Sequence, residues 1–307
     1  MTETAAILAY TGLDGRRRQT QLAFDPRPSR LARDQADFKI TLKPHETINL
    51  FVEIRCDSEP PGDAASSRHF VTAMRDALRA LWRSTRRAAS VASSSDMFNE
   101  AIRRAVSDLY MLITDTPEGP YPYAGVPWFS TIFGRDGLIT AFETLWFDPT
   151  IARGVLRHLA ANQATVTDPN ADAEPGKILH EIRRGEMAEL GEVPFRRYYG
   201  SIDSTPLFIM LAGAYFVRTG DLSTLRELWP NIEAALGWID AHGDRDGDGF
   251  LEYGRRNDQG LINQGWKDSY DSVFHADATL AVGPIAVVEV RPMPMERSAG
   301  RRGSRAL

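Results

Sequence analysis

The chain has 307 residues, of which 43% are hydrophobic and 25% charged, with a formal net charge of -5. This is ordinary for a globular protein with ample core, and it gives no electrostatic reason to expect a nucleic-acid partner. The single cysteine, Cys56, excludes an internal disulfide and fits a reducing compartment. It reads as a small half-buried hydrophobe. Met1-Thr2-Glu3-Thr4 lacks the basic and apolar regions of a signal peptide, and no apolar run approaches a membrane span, so the expectation is no membrane partner and a cytoplasmic location.

In chain order, the first 60 or so residues read as strands. An early strand spans Arg18 to Phe24. Phe38, Ile40 and Leu42 then alternate with polar residues, Lys43-Pro44-His45 reads as a turn, and Ile48, Leu50, Val52 and Ile54 alternate again, which predicts a hairpin. Glu59-Pro60-Pro61-Gly62 ends this region. A basic helix follows from Phe70 to Arg87, read as a solvated connector, and then a small-residue linker from Ala88 to Ser95. Asp96 is suited to cap the next helix, in which Phe98, Ile102, Ala105, Leu109 and Leu112 recur at helical spacing and predict a buried face. Further helices are predicted at 136–147, 150–165, 205–219, 222–242 and 274–289. Thr205-Pro206 reads as a cap followed by proline at the first helical position, Asp221 as a cap, Pro230 as a restart within its helix, and His242-Gly243 as a stop.

The connections at 115–135, 166–204 and 243–271 are too long to be simple connectors, and ordered loops of that length are usually functional. Helix pairs sharing one rim of loops suggest a helical toroid or an α-solenoid rather than a doubly wound sheet. The first loop holds Trp128 among several aromatics and closes on Arg135-Asp136; flat rings and charged groups suit a sugar's C–H faces and hydroxyls. The plainer alternative is an aromatic plug with Asp136 as a cap. The second loop holds Glu181, either a site carboxylate or an ion-pair partner of Arg183 or Arg184, and Asp203, either a site carboxylate or a cap. The third opens with Asp244-Arg245-Asp246-Gly247-Asp248-Gly249, which imitates the start of an EF-hand loop but puts Arg255 where the twelfth-position Glu belongs. An Asp- and Gly-rich turn is the plainer reading, a calcium site outside the EF-hand pattern the alternative. The same loop ends in Gly265-Trp266-Lys267-Asp268-Ser269. A carboxyl shielded by Trp266 would stay protonated and act as an acid, unless Lys267 turns toward it.

Four segments in this order carry a resemblance: Ser130-Thr131-Ile132-Phe133-Gly134-Arg135-Asp136, Gly176-Lys177-Ile178-Leu179-His180-Glu181-Ile182-Arg183, Tyr199-Gly200-Ser201-Ile202-Asp203-Ser204-Thr205-Pro206-Leu207-Phe208, and Gly265-Trp266-Lys267-Asp268-Ser269. The stretch 96–290 resembles the bacterial glycogen-debranching amylo-α-1,6-glucosidase group of the six-hairpin (α/α)6-barrel glycosidases. The resemblance implies a mainly α fold, a partial toroid with about half of the barrel's helices, preceded at 1–62 by the end of a β-rich N-terminal domain and at 63–95 by a linker helix and linker. It implies inverting hydrolysis of α-glucosidic bonds, with Asp268 as general acid, Arg135 and Asp136 gripping the terminal glucose, and Trp128, Glu181, Asp203 and Trp266 completing the substrate site. It implies an α-glucan or oligosaccharide substrate, no cofactor and no metal. The family's base has no matching position here. The match fades after Gly283-Pro284-Ile285-Ala286, and 291–307 read as a disordered basic tail, as after a frameshift. An incomplete barrel would expose helix faces and favour self-association. A sugar-binding module without catalysis and a truncated product without function are the other two classes.

Overall fold

The structure is a computed structural model that describes residues 5–56, 67–86, 88–267 and 269–290. The tail at 291–307 therefore lies outside the described residues, as do Arg87 and the breaker Glu59-Pro60-Pro61-Gly62. The chain divides into two compact units, Met1–Arg87 and Ala88–Leu307.

In the first unit, β1 (Ala5–Thr11), β2 (Arg17–Asp25) and β5 (Phe51–Cys56) form an antiparallel sheet in the order β1-β2-β5, and a short pair, β3 (Arg30–Leu31) and β4 (Ala36–Asp37), lies between β2 and β5 in sequence. The predicted strand at 18–24 is thus present, but the predicted hairpin is not. Lys43–Glu46 does turn, with the Glu46 N–H donating to the Lys43 carbonyl at 3.0 Å. Its flanks do not pair with each other; Phe51–Cys56 pairs instead with β2, Phe51 opposite Asp25 and Cys56 opposite Thr20. A two-stranded hairpin is marginal in water, whereas adding β5 to the β1–β2 pair gives a three-stranded sheet. Phe38 packs edge-on against Phe24 with centroids 6.0 Å apart. At the end of β5, Cys56 is exposed rather than half-buried, with its sulfur 3.9 Å from the Thr20 hydroxyl. α1 (Ser67–Thr85) forms where the basic helix is predicted, and its Arg79 pairs with Asp76 at 3.2 Å.

In the second unit, α2 (Asp96–Leu112) is capped by Ser95, whose hydroxyl accepts the Phe98 N–H, so Asp96 is the first helical residue and not the cap. The expected buried face of α2 is only half-buried: Ile102, Leu109 and Leu112 are intermediate and Phe98 is exposed. β6 (Ile113–Thr116) and β7 (Gly119–Pro122) then form a hairpin. Next come β8 (Ile132–Phe133), α3 (Gly134–Glu143), α4 (Pro149–Ala161), β9 (Glu181–Ile182) and the one-turn α5 (Glu186–Glu189). α6 (Ser204–Thr219), α7 (Leu222–Trp238), β10 (Glu252–Tyr253) and β11 (Ile285–Ala286) follow.

α3, α4, α6 and α7 enclose the main core. Leu138 and Ala141 of α3, Ile151, Val155 and Leu159 of α4, Phe208 and Leu211 of α6, and Leu228 and Ala235 of α7 are all essentially excluded from solvent. The spacing within each helix puts these side chains on one face, and each large one contributes about 1.5–3 kcal/mol on burial. Asp148 caps α4 with Pro149 in the first turn, and Asp221 caps α7 by accepting the Thr224 N–H. α7 runs unbroken through Pro230 and ends in a π turn, Ile239–Gly243. Leu228 and Ile232 are buried on either side of Pro230, so packing offsets the lost backbone bond and no restart occurs.

The helix predicted at 274–289 is not formed. The segment is irregular apart from β11, which pairs with β10, and a final 3-10 turn. Pro284 has no N–H to donate and pushes Gly283 toward extended backbone, which ends helical propagation mid-segment. Ile285 gains a place in a second core with Ile202, Trp238, Leu251 and Tyr253. Helix is the prevalent regular element of this unit, accompanied by several small sheets. No helix among the described residues is long and apolar enough to cross a membrane.

Candidate functional site

The second unit brings three of its long loops together around α3 and α6. The short β8–β9 pair sets Phe133 opposite Glu181, and the Gly134 N–H donates to the His180 carbonyl at 2.8 Å. This lays the segment before Arg135 directly on the segment before Glu181. The close approach requires glycine, because a Cβ at position 134 would lie 1.9 Å from the Leu179 carbonyl oxygen.

Arg135, one residue into α3, is buried and donates from Nε to Asp203 at 2.7 Å and from its guanidinium to the Gln264 carbonyl at 3.3 Å. Asp203 sits at the N-cap position of α6 but does not cap it. Its carboxylate takes Arg135 on one oxygen and the Ser201 hydroxyl, at 2.6 Å, on the other. One buried ion pair and one charge-assisted bond to a carbonyl therefore connect 130–136, 199–205 and 263–266. Such a pair costs desolvation and holds its geometry only because both partners are satisfied.

Glu181 is buried and ion-pairs with Arg183, as its plainer reading anticipated. Burial raises its pKa, Arg183 opposes that shift, and the nearby charge of Asp136 adds to it. Asp136 itself is exposed. Arg183 also donates to the Trp128 carbonyl at 2.8 Å, which places the backbone of Trp128 beside this group while its ring stands 78% exposed. Trp266 is 56% exposed, two residues beyond Gln264. Lys267 lies over the Trp266 ring, 5.3 Å from its centroid. Asp268 lies outside the described residues. Arg135, Asp136, Glu181 and Asp203 are thus brought together, with Trp128 and Trp266 on the flanking loops.

The same unit holds a buried polar layer whose acids, Asp172 and Glu174, sequence reasoning did not single out. Asp172 accepts the Tyr198 hydroxyl at 2.7 Å, the Gln264 amide at 3.0 Å and the Arg256 N–H at 2.7 Å. Glu174 accepts the Trp238 indole N–H at 2.7 Å and pairs with Arg256. Lys177 donates to the Asp172 carbonyl at 3.0 Å; burial lowers its pKa to about 8 despite the opposing charges of Glu174 and Asp172. His180 packs edge-on between Phe133 and Tyr198, its Nδ1 buried without a partner among the described residues. Burial, and then the charges of Arg135, Lys177 and Arg183, push its pKa down to about 3, so it is neutral. The local signal for these two acids was their spacing across one small residue, Asp172-Ala173-Glu174.

A cleft of about 1080 Å3 opens elsewhere on this unit, with Glu118, His158, Arg184, Arg196 and Arg197 among its lining residues. Arg183 belongs to it, but Arg135, Asp136, Glu181 and Asp203 do not line it.

No curated protein matches the chain. Residues 1–53, which include β1, β2 and the start of β5, match the family described as the N-terminal domain of (some) glycogen debranching enzymes, and in that segment the chain is similar to those enzymes.

Proposed function

We propose that the chain is a glycoside hydrolase of the glycogen-debranching, amylo-α-1,6-glucosidase type, and that its second unit is part of an (α/α)6 toroid. The observation that carries this reading is the Arg135–Asp203 pair anchored on the Gln264 carbonyl. It joins two of the four motifs on which the resemblance rests and reaches the residue before a third, and Glu181 of the remaining one pairs opposite Phe133. The similarity of residues 1–53 to the N-terminal domain of debranching enzymes supports the same family independently.

In this reading Arg135 and Asp203 hold the scaffold, Asp136 and Glu181 meet sugar hydroxyls, and the exposed rings of Trp128 and Trp266 offer flat faces to an α-glucan. Asp268 donates a proton to the glycosidic oxygen as the bond to the anomeric carbon breaks. Water attacks the anomeric carbon from the opposite face and gives up a proton to a general base, which gives inversion. Lys267 is engaged with the Trp266 ring. Residues 1–307 carry an acid and no assigned base, so binding with little or no hydrolysis is expected of them.

Calorimetric titration with maltooligosaccharides, run beside a glucose-release assay, tests it. Saturable binding weakened by Asp136→Asn and Trp266→Ala supports the reading; absence of binding at millimolar oligosaccharide refutes it. Appreciable glucose release abolished by Asp268→Asn would establish the acid and show that a base is present after all.

A further inference from the structure

The geometry points to a calcium site in the loop between α7 and β10. Asp244, Asp246, Asp248 and Glu252 each bring one carboxylate oxygen into a group whose members all lie within 4.8 Å of one another. Four carboxylates at that separation repel strongly, and none of them has a salt bridge among the described residues. The cation inside the motif, Arg245, turns away, donating to the His242 carbonyl at 3.3 Å and lying 3.7 Å from Glu174.

A second observation is independent of the clustering. Glu252 is 7% exposed; its Oε2 accepts the Arg245 N–H at 2.9 Å, but its Oε1 is buried with no hydrogen-bond partner among the described residues. A buried carboxylate oxygen left unsatisfied is costly, and a cation held with the three aspartates would satisfy it. Acidic positions one, three and five follow EF-hand spacing, but the ligand that closes the group is Glu252, the ninth, and not the twelfth residue, Arg255. An all-oxygen, carboxylate-rich set on a turn suits calcium rather than zinc or copper, and its irregularity suits calcium rather than magnesium.

The ion would fasten the turn after α7 to the first residue of β10. The next residue, Tyr253, is buried in the second core, with its hydroxyl 3.2 Å from Asn263 Oδ1, so the site would brace the segment leading into Gly265-Trp266.

The test is calorimetric titration of the full chain, stripped with a chelator, with calcium chloride and separately with magnesium chloride. One calcium per chain is expected, with weaker magnesium binding. Asp246→Asn and Glu252→Gln should each lower calcium affinity about tenfold or more, while Asp258→Asn leaves it unchanged. If Glu252→Gln loses its native circular dichroism, the exposed Asp246→Asn decides. No binding at millimolar calcium, or binding unaffected by Asp246→Asn, overturns the site; equal affinity for magnesium overturns the assignment to calcium.

Discussion

His180 provides a sharp test of the packing beneath the candidate site. In the folded chain burial drives its pKa from the ordinary 6.5 down to about 3, so it stays neutral where the unfolded chain protonates. A base with a depressed folded pKa contributes stability that is fully present above the unfolded value and is lost as pH falls through it. Between about pH 7.5 and about pH 5 the unfolded state gains roughly 1.5 units' worth of protonation free energy that the folded state does not, a loss of about 2 kcal/mol. Other groups titrate over the same range, so the informative quantity is the difference from His180→Phe, which keeps a ring between Phe133 and Tyr198 but cannot protonate. Urea unfolding followed by tryptophan fluorescence suits the measurement, since Trp128, Trp146, Trp229, Trp238 and Trp266 all belong to the second unit. The wild-type chain should lose about 2 kcal/mol more than the variant over that pH interval. Equal losses, within about 0.5 kcal/mol, would mean that His180 is accessible to protons and that the layer is not packed as described.

Three further outcomes follow from the same geometry. Asp203→Ala leaves Arg135 buried without its partner and should cost about 3–5 kcal/mol in urea unfolding, whereas a cost below about 1 kcal/mol would mean the pair is exchanged with solvent. Gly134→Ala drives a Cβ into the Leu179 carbonyl and should cost about 3 kcal/mol or more, with a melting temperature within a degree or so of wild type as the refuting result. Asp221 accepts from Thr224, Tyr215 and Ser223, so Asp221→Ala should cost about 1–2 kcal/mol; an unchanged unfolding midpoint would show that the cap is dispensable.

What the sequence determined by itself was local. The helical periodicities at 205–219 and 222–242, the cap at Asp221, the early strand and the turn at Lys43-Pro44-His45 all rest on interactions within a few residues, and those elements formed, the second helix ending at Trp238 in a π turn. The motif residues Arg135, Glu181 and Asp203 stood out as charges in long loops for the same reason. Tertiary structure decided what competed for each segment. Phe51–Cys56 alternates as well as any hairpin arm, but pairing with β2 completes a three-stranded sheet. Residues 274–289 are apolar enough for a helix, yet Pro284 and the pairing of Ile285 with Tyr253 take them elsewhere. Asp203 occupies a capping position and spends its carboxylate on Arg135, 68 residues away in sequence. Asp172, Glu174 and the unsatisfied Glu252 acquire meaning only from burial, because a carboxylate's solvation and partners are set by what folds over it.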